Sequence, residues 1–175
     1  MLLDLFANAE DELHAERCEK ALSFAATVML QIGQDIQGQV AVGVCGRETQ
    51  TYRSRTPMGI VSDLMRCLSV AHVSNAPEIE ETLVQVFSYV SRGTPIYVVS
   101  SRARPEILDP EKSPILNSPA SVDRVTRNLR QVLPLIRWLN VASDEFENIF
   151  TTGQDPVRIA SLKRLSSKWA TNAKR

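Results

Sequence analysis

The sequence predicts an α/β domain with a three-layer, mostly parallel sheet, and three observations carry that expectation. Short apolar runs alternate with longer segments whose apolar residues recur at spacings of three and four, the pattern of parallel strands joined by helical crossovers. Glycines stand at the ends of several runs and periodic segments, where turns and helix stops fall. One polar, β-branched and aromatic segment, TQTYRS, follows an apolar run closely and reads as a strand paired antiparallel at the sheet edge. The chain has 175 residues, enough for one domain with a sizeable core.

Residues 2–5, LLDL, read as a short buried strand. Residues 10–32 read as a long helix with Cys18, Ala21, Leu22, Ala25, Val28, Met29 and Ile32 on one face, stopped by Gly33. QVAVGVCG at 39–46 is the second strand and TQTYRS at 49–54 the third. Residues 58–71 give a helix with Ile60, Leu64, Leu68 and Ala71 on one side. Asn75 is placed to cap the next helix, with Pro77 in its first turn and Glu78 three residues after the cap. Its stripe is Ile79, Leu83, Val86, Phe87 and Val90, and Gly93 is its stop. PIYVVSS at 95–101 is the clearest buried strand, followed by a proline-rich stretch over 102–119. Val122, Val125, Leu129, Val132 and Leu133 mark another helix, and LIRWLNV at 135–141 another strand. Ser143 then caps a short turn containing Phe146 and Ile149. The domain is expected over 1–150, with an amphipathic helix in 151–175 carrying Ile159, Leu162, Leu165 and Trp169 and packing on it or extending from it.

Twenty basic and twenty acidic residues cancel, so no general field attracts nucleic acid or a membrane surface. Acids gather in the first helix and bases in the last, as two solvated faces. Cys18, Cys45 and Cys67 are widely spaced without a C-x-x-C pair, which argues against a disulfide framework or zinc site and for buried thiols in the cytoplasm. No stretch has the length of a membrane span, and the N-terminus lacks the form of a signal peptide.

Ligands of such sheets bind outside the carboxyl ends of the strands, where strand order reverses. If the first strand and IYVVSS are neighbours there, Asp4, Phe6 and Asn8 face Ser100 and Ser101. Ser74, Asn75, Arg102 and Arg104 would share the rim. Glycine-rich phosphate cradles and a G-x-S-x-G elbow are absent from the sequence, and Phe6 stands where an aspartyl-nucleophile phosphatase needs a second aspartate. His14, on the polar side of the first helix, and His72, near a helix end, read as structural or solvated.

The strand entering LLD, the helix with AERCEKALSFAATVML, the VAVGV strand, the edge hairpin, two helices and IYVVSS together resemble the von Willebrand factor A-like domain. More narrowly, the chain is similar over residues 1–150 to the bacterial family catalogued as domain of unknown function fifty-eight. The resemblance implies a Rossmann-like fold and a metal-ion-dependent adhesion site: D-x-S-x-S after the first strand, a threonine from a second loop, and an aspartate after the fourth strand. Here Asp4 matches the first aspartate, Phe6 and Asn8 replace the serines, Ser74 or Asn75 falls near the threonine, and Ser101 replaces the second aspartate. The site is thus expected to be degenerate, without a resident cofactor, and Asp4 to accept backbone amides of the following loop instead. The resemblance also implies a non-enzymatic interaction domain whose strand-end rim docks a protein, a MoxR-type AAA ATPase acting with it in bacterial assembly or maturation. It further implies that the full-length protein is often membrane-anchored, with the domain at the cytoplasmic face. Two other readings stay open: an adhesion module using Mg2+ or Mn2+ with unusual ligands, and an enzyme on an anionic substrate, with Arg102 and Arg104 clamping the anion and Asp4 as acid or base.

Overall fold

Five strands form one mixed sheet in the computed structural model, which describes residues 1–7, 12–35, 39–56, 58–75, 79–91, 93–109 and 124–150. They are β1 (Leu2–Asp4), β2 (Val40–Cys45), β3 (Thr49–Ser54), β4 (Ile96–Ser100) and β5 (Ile136–Asn140). The order is β3-β2-β1-β4-β5, parallel except for the β2–β3 hairpin, so β3 is an antiparallel edge. The helices are α1 (His14–Asp35), α2 (Met58–Val70), α3 (Ile79–Ser88), α4 (Arg124–Val132) and α5 (Asp144–Ile149), with 3-10 turns at Glu106–Leu108 and Leu133–Leu135.

Alternation along the strands divides the core in two, because neighbouring side chains leave a strand on opposite faces. Leu3, Val42, Val44 and Val99 pack with Phe24, Ala25 and Met29 of α1, Leu64 of α2 and Phe146 of α5. On the other face Leu2, Ala41, Cys45, Ile96 and Val98 meet Ile79, Leu83 and Val86 of α3 and Leu129 and Val132 of α4. All three cysteines are free and buried, as their apolar settings suggest. Among the described residues no helix is long and apolar enough to cross a membrane.

Two helix ends differ from expectation. α1 runs past Gly33 to Asp35. Glycine in a helix interior costs only about 1 kcal/mol relative to alanine, so it does not stop a helix unless the chain turns left-handed there. Among the described residues the positive-φ glycine is Gly93, at φ 84. α3 ends at Ser88, before Gly93, because its last turn tightens: the amides of Tyr89 and Val90 bond to the carbonyls of Val86 and Phe87. The expected capping role of Pro77 and Glu78, the stretch 110–119, Val122 and the helix in 151–175 lie outside the described residues.

One close approach shapes the rim. A Cβ on Gly46 would lie 2.2 Å from the carbonyl oxygen of His72, so only glycine lets residue 72 come this near to the end of β2. The Arg47 amide then bonds to His72 O at 2.8 Å, and Ser74 lies alongside β1. Gly46→Ala is expected to cost about 1–3 kcal/mol, the range for forced overpacking. It should also move the amide resonances of residues 72–74. A fully stable variant with unshifted resonances would show that this contact is slack.

Candidate functional site at the carboxyl ends of the strands

Register builds the site before any side chain is considered. Asp4 pairs with Cys45 on one side and with Ser100 on the other, and Ser100 pairs with Asn140. These residues form one row across the last rungs of β2, β1, β4 and β5. Strand order reverses at β1, whose two neighbours, β2 and β4, are both parallel to it.

Asp4 is fully buried, and its Oδ2 accepts hydrogen bonds from Ser100 Oγ at 2.7 Å and Arg102 Nε at 3.0 Å. Burial pushes the carboxyl above its ordinary range, against the opposing pull of the Arg102 charge and the hydrogen bonds from Ser100 and Arg102. Asp4 Oδ1 has no partner among the described residues. Side chains from β4 and the turn after it hold the carboxylate through Oδ2, while loop residues 8–11, whose amides are its expected donors, lie outside the described residues. The reason lies in the register, which brings Ser100 beside Asp4 and leaves Arg102 only two residues further on.

Arg102 is the hub of the site. Its guanidinium carbon lies 4.3 Å from the Phe6 ring centroid, a cation–π geometry, and its side chain is 25% exposed. Its backbone is fixed from both sides: the amide donates to Ser100 Oγ at 3.1 Å, and its carbonyl accepts from Trp138 Nε1 at 3.1 Å. Ser101 Oγ donates to the Phe6 carbonyl. Cys18 Sγ approaches the same carbonyl at 3.7 Å, and burial pushes its thiol up, so it is no ready thiolate. Phe6 is half-buried under Arg102 and so is not wholly tucked into the core.

The expected rim separates into parts that meet and parts that do not. Asp4, Phe6, Ser100, Ser101 and Arg102 converge. Ser74 joins through its backbone: its amide bonds to Leu5 O at 3.0 Å and its carbonyl accepts from Ala7 N at 2.9 Å. Asn75 is exposed and Asn8 lies outside the described residues. The paired clamp of Arg102 and Arg104 does not form. Arg104 Nε donates to Leu108 O at 2.7 Å, drawn there by the 3-10 turn at Glu106–Leu108, and its Nη2 is buried without a partner among the described residues.

Beside Arg102 opens a cleft of about 290 Å³ lined by Phe6, His14, Arg17, Ser101, Arg102, Ala103, Asn140 and Ala142. Sequence reasoning missed Arg17 and Asn140 and set His14 aside. The signal for Asn140 was available, since it ends a strand as Asp4 and Ser100 do. His14 and Arg17, three apart in the first turn of α1, carry no local mark of a site.

No family model, curated protein or solved structure matches this chain.

The described residues do not fit a divalent cation. Such an ion needs several oxygen ligands free to turn toward it. Asp4 Oδ2 is held by a hydroxyl and a guanidinium, Ser101 Oγ is given to a backbone carbonyl, and Phe6 offers no oxygen. A metal at Asp4 would have to displace Arg102. Millimolar Mg2+ or Mn2+ is therefore expected to leave the melting temperature of the wild type and of Asp4→Ala unchanged. A saturable rise in the wild type that Asp4→Ala abolishes would restore a metal site.

Proposed function

We propose that this chain is a von Willebrand A-like, three-layer Rossmann-like domain and a non-enzymatic protein-interaction module. Its adhesion site is degenerate, with the Arg102 guanidinium standing where the resembled family holds a divalent cation. The observation that carries this reading is Arg102 seated on buried Asp4 at the end of β1, with its face over Phe6. The strand order, with β1 central and one antiparallel edge hairpin, supports the fold. The interaction role is supported by what the convergent groups are doing: they bond to each other. Asp4 is buried and bonded to Ser100 and Arg102, Ser101 bonds to a carbonyl, and Cys18 is held as a thiol. Such a set fixes a surface, because its carboxylate and hydroxyls are bonded to one another or to the backbone rather than left to act as base or nucleophile.

The partner this reading favours is a MoxR-type AAA ATPase in a bacterial assembly or maturation system, met at the rim around Phe6 and Arg17. The domain then works on the cytoplasmic side, free or at the face of a membrane if a longer protein carries it. Calorimetric titration against the MoxR-type ATPase of the source organism tests this, using wild type and a Phe6→Ala, Arg17→Glu variant whose circular dichroism confirms folding. The variant should bind at least about tenfold more weakly, the loss of about 1.4 kcal/mol expected for one central contact. Binding by the folded variant at wild-type affinity removes the rim from the interface, and no binding by the wild type removes the ATPase.

A further inference from the structure

We infer that the cleft beside Arg102 is an oxyanion site that takes a carboxylate or phosphate group without a metal, with the terminal nitrogens of Arg102 and the side-chain amide of Asn140 as donors. A guanidinium offers five N–H donors and no acceptor. Arg102 spends Nε on Asp4 Oδ2 at 3.0 Å, and its two terminal nitrogens have no partner among the described residues. What remains is the end-on pair of nitrogens, whose parallel N–H groups match two oxygens of one anion. Asp4, Phe6 and the anchored backbone hold that fork in one plane, so little freedom is lost when a ligand arrives.

Asn140 is oriented in the same sense. Its Oδ1 accepts from the Ala142 amide at 2.9 Å, which leaves Nδ2 as a donor without a partner among the described residues. The Ser101 hydroxyl hydrogen is committed to the Phe6 carbonyl. The cleft therefore presents spare donors at Arg102 and Asn140, and among its described lining there is no Asp or Glu. A ligand with acceptors only, and negative charge, matches that inventory; a hydroxyl or amide ligand would bring donors with nothing to receive them. Arg17 on α1 also lines the cleft and adds positive potential. The volume of about 290 Å³ sits near the lower bound of small-molecule sites, enough for a carboxylate or phosphate and a small attached group.

The test is a nitrogen–proton correlation titration, following the Arg102 and Asn140 side-chain signals in phosphate, acetate and chloride at equal ionic strength. Phosphate or acetate should give saturable shifts at both side chains that chloride does not, and the tighter of the two identifies the source of the oxyanion. Asn140→Asp keeps an oxygen for the Ala142 amide while replacing the donor by a carboxylate. Arg102→Lys keeps a cation beside Asp4 while removing the fork. Each should weaken binding by at least about tenfold. Should Arg102→Lys fail to fold, Asn140→Asp alone decides. Linear shifts shared with chloride, or saturable shifts unchanged in Asn140→Asp, would overturn the site. Protein docking at Phe6 and Arg17 is read separately by calorimetry, so either conclusion can fall while the other stands.

Discussion

Replacing Arg102 by methionine should cost about 3–5 kcal/mol at neutral pH, the range for removing one partner of a buried ion pair. Methionine keeps most of the apolar stem, so the loss is chiefly electrostatic. It leaves Asp4 fully buried with only the Ser100 hydroxyl as donor and Oδ1 already without a partner. It also removes the cation from the Phe6 ring, worth roughly 0.5–2 kcal/mol at a partly desolvated site. Urea unfolding measures the loss. Asp4→Asn, which removes the buried charge, should cost less, and the double variant should recover much of the Arg102→Met loss, because the two effects share one interaction. Additive losses would mean that Arg102 and Asp4 do not act as a pair.

The pH dependence of that loss has a definite sign. The carboxyl of Asp4 is raised from its ordinary value of 3.8, burial being the largest cause and Arg102 the main opposing one. A group whose folded value exceeds its unfolded value contributes stability that is complete below the unfolded value. That contribution is lost as pH rises through the folded value. Wild type should therefore gain on Asp4→Asn as pH falls toward 3.8. In Arg102→Met the opposing charge is gone and the folded value climbs further, so its deficit against wild type should be largest at neutral pH and shrink on acidification. A deficit that is flat across this range would mean that Asp4 is already protonated in the native protein at neutral pH.

The sequence shows why part of this site was legible and part was not. An apolar run ending in Asp4 and another ending in Ser100 and Ser101 mark two strand ends, and the parallel crossover rule brings strand ends together on one side of the sheet. That reasoning reaches the Asp4–Ser100 contact. Applied to the last strand as well, it reaches Asn140, which stands in register with Ser100. It does not reach the direction of a long side chain in a turn. Arg102 and Arg104 look equivalent in SRARP, yet one folds back onto Asp4 and the other onto the Leu108 carbonyl, a difference made by a 3-10 turn that proline and acidic residues leave unmarked. The helices of the described residues were legible by period. Gly33 misled because an interior glycine is a tolerable cost in a helix that continues past it. Phe24 lies three residues after Ala21 and one before Ala25, on the same face as the stripe, and belongs to the core the period implied.

Phe24→Ala should cost about 3–5 kcal/mol, the usual range for truncating a fully buried phenylalanine, and its effect should travel to the cleft. Phe24 is 0% exposed. Its ring meets Phe146 edge-on at 4.9 Å and Phe150 at 5.3 Å, while Phe146 and Phe150 lie 6.0 Å apart. Edge-to-face pairs add about 0.5–1.5 kcal/mol each beyond the buried area, so removing the shared ring breaks two of them and leaves a cavity among the rest. Lys20 with the exposed Glu147 also ties these two helices, but a surface ion pair is worth about 0–1 kcal/mol and cannot hold α5 alone. From Phe146 the path to the cleft is short. Its amide bonds to the Ser143 cap at 3.3 Å, and Ser143 Oγ donates to the Asn140 carbonyl at 2.8 Å. Loosening α5 therefore loosens the turn that orients Asn140, while the β2–β3 hairpin, held also by its own six-rung ladder, should keep its protection. Hydrogen exchange distinguishes this local opening from uniform loss. Amides of residues 141–147 should exchange much faster in Phe24→Ala, and those of β2 only in proportion to the global loss. Equal acceleration everywhere would mean that α5 is not a separate unit and that the aromatic cluster stabilises the whole sheet rather than the cleft. Phe24→Leu, which refills most of the volume without the ring, should recover stability more fully than it recovers the protection of α5, because the ring edges and not the bulk hold Phe146 and Phe150 in place.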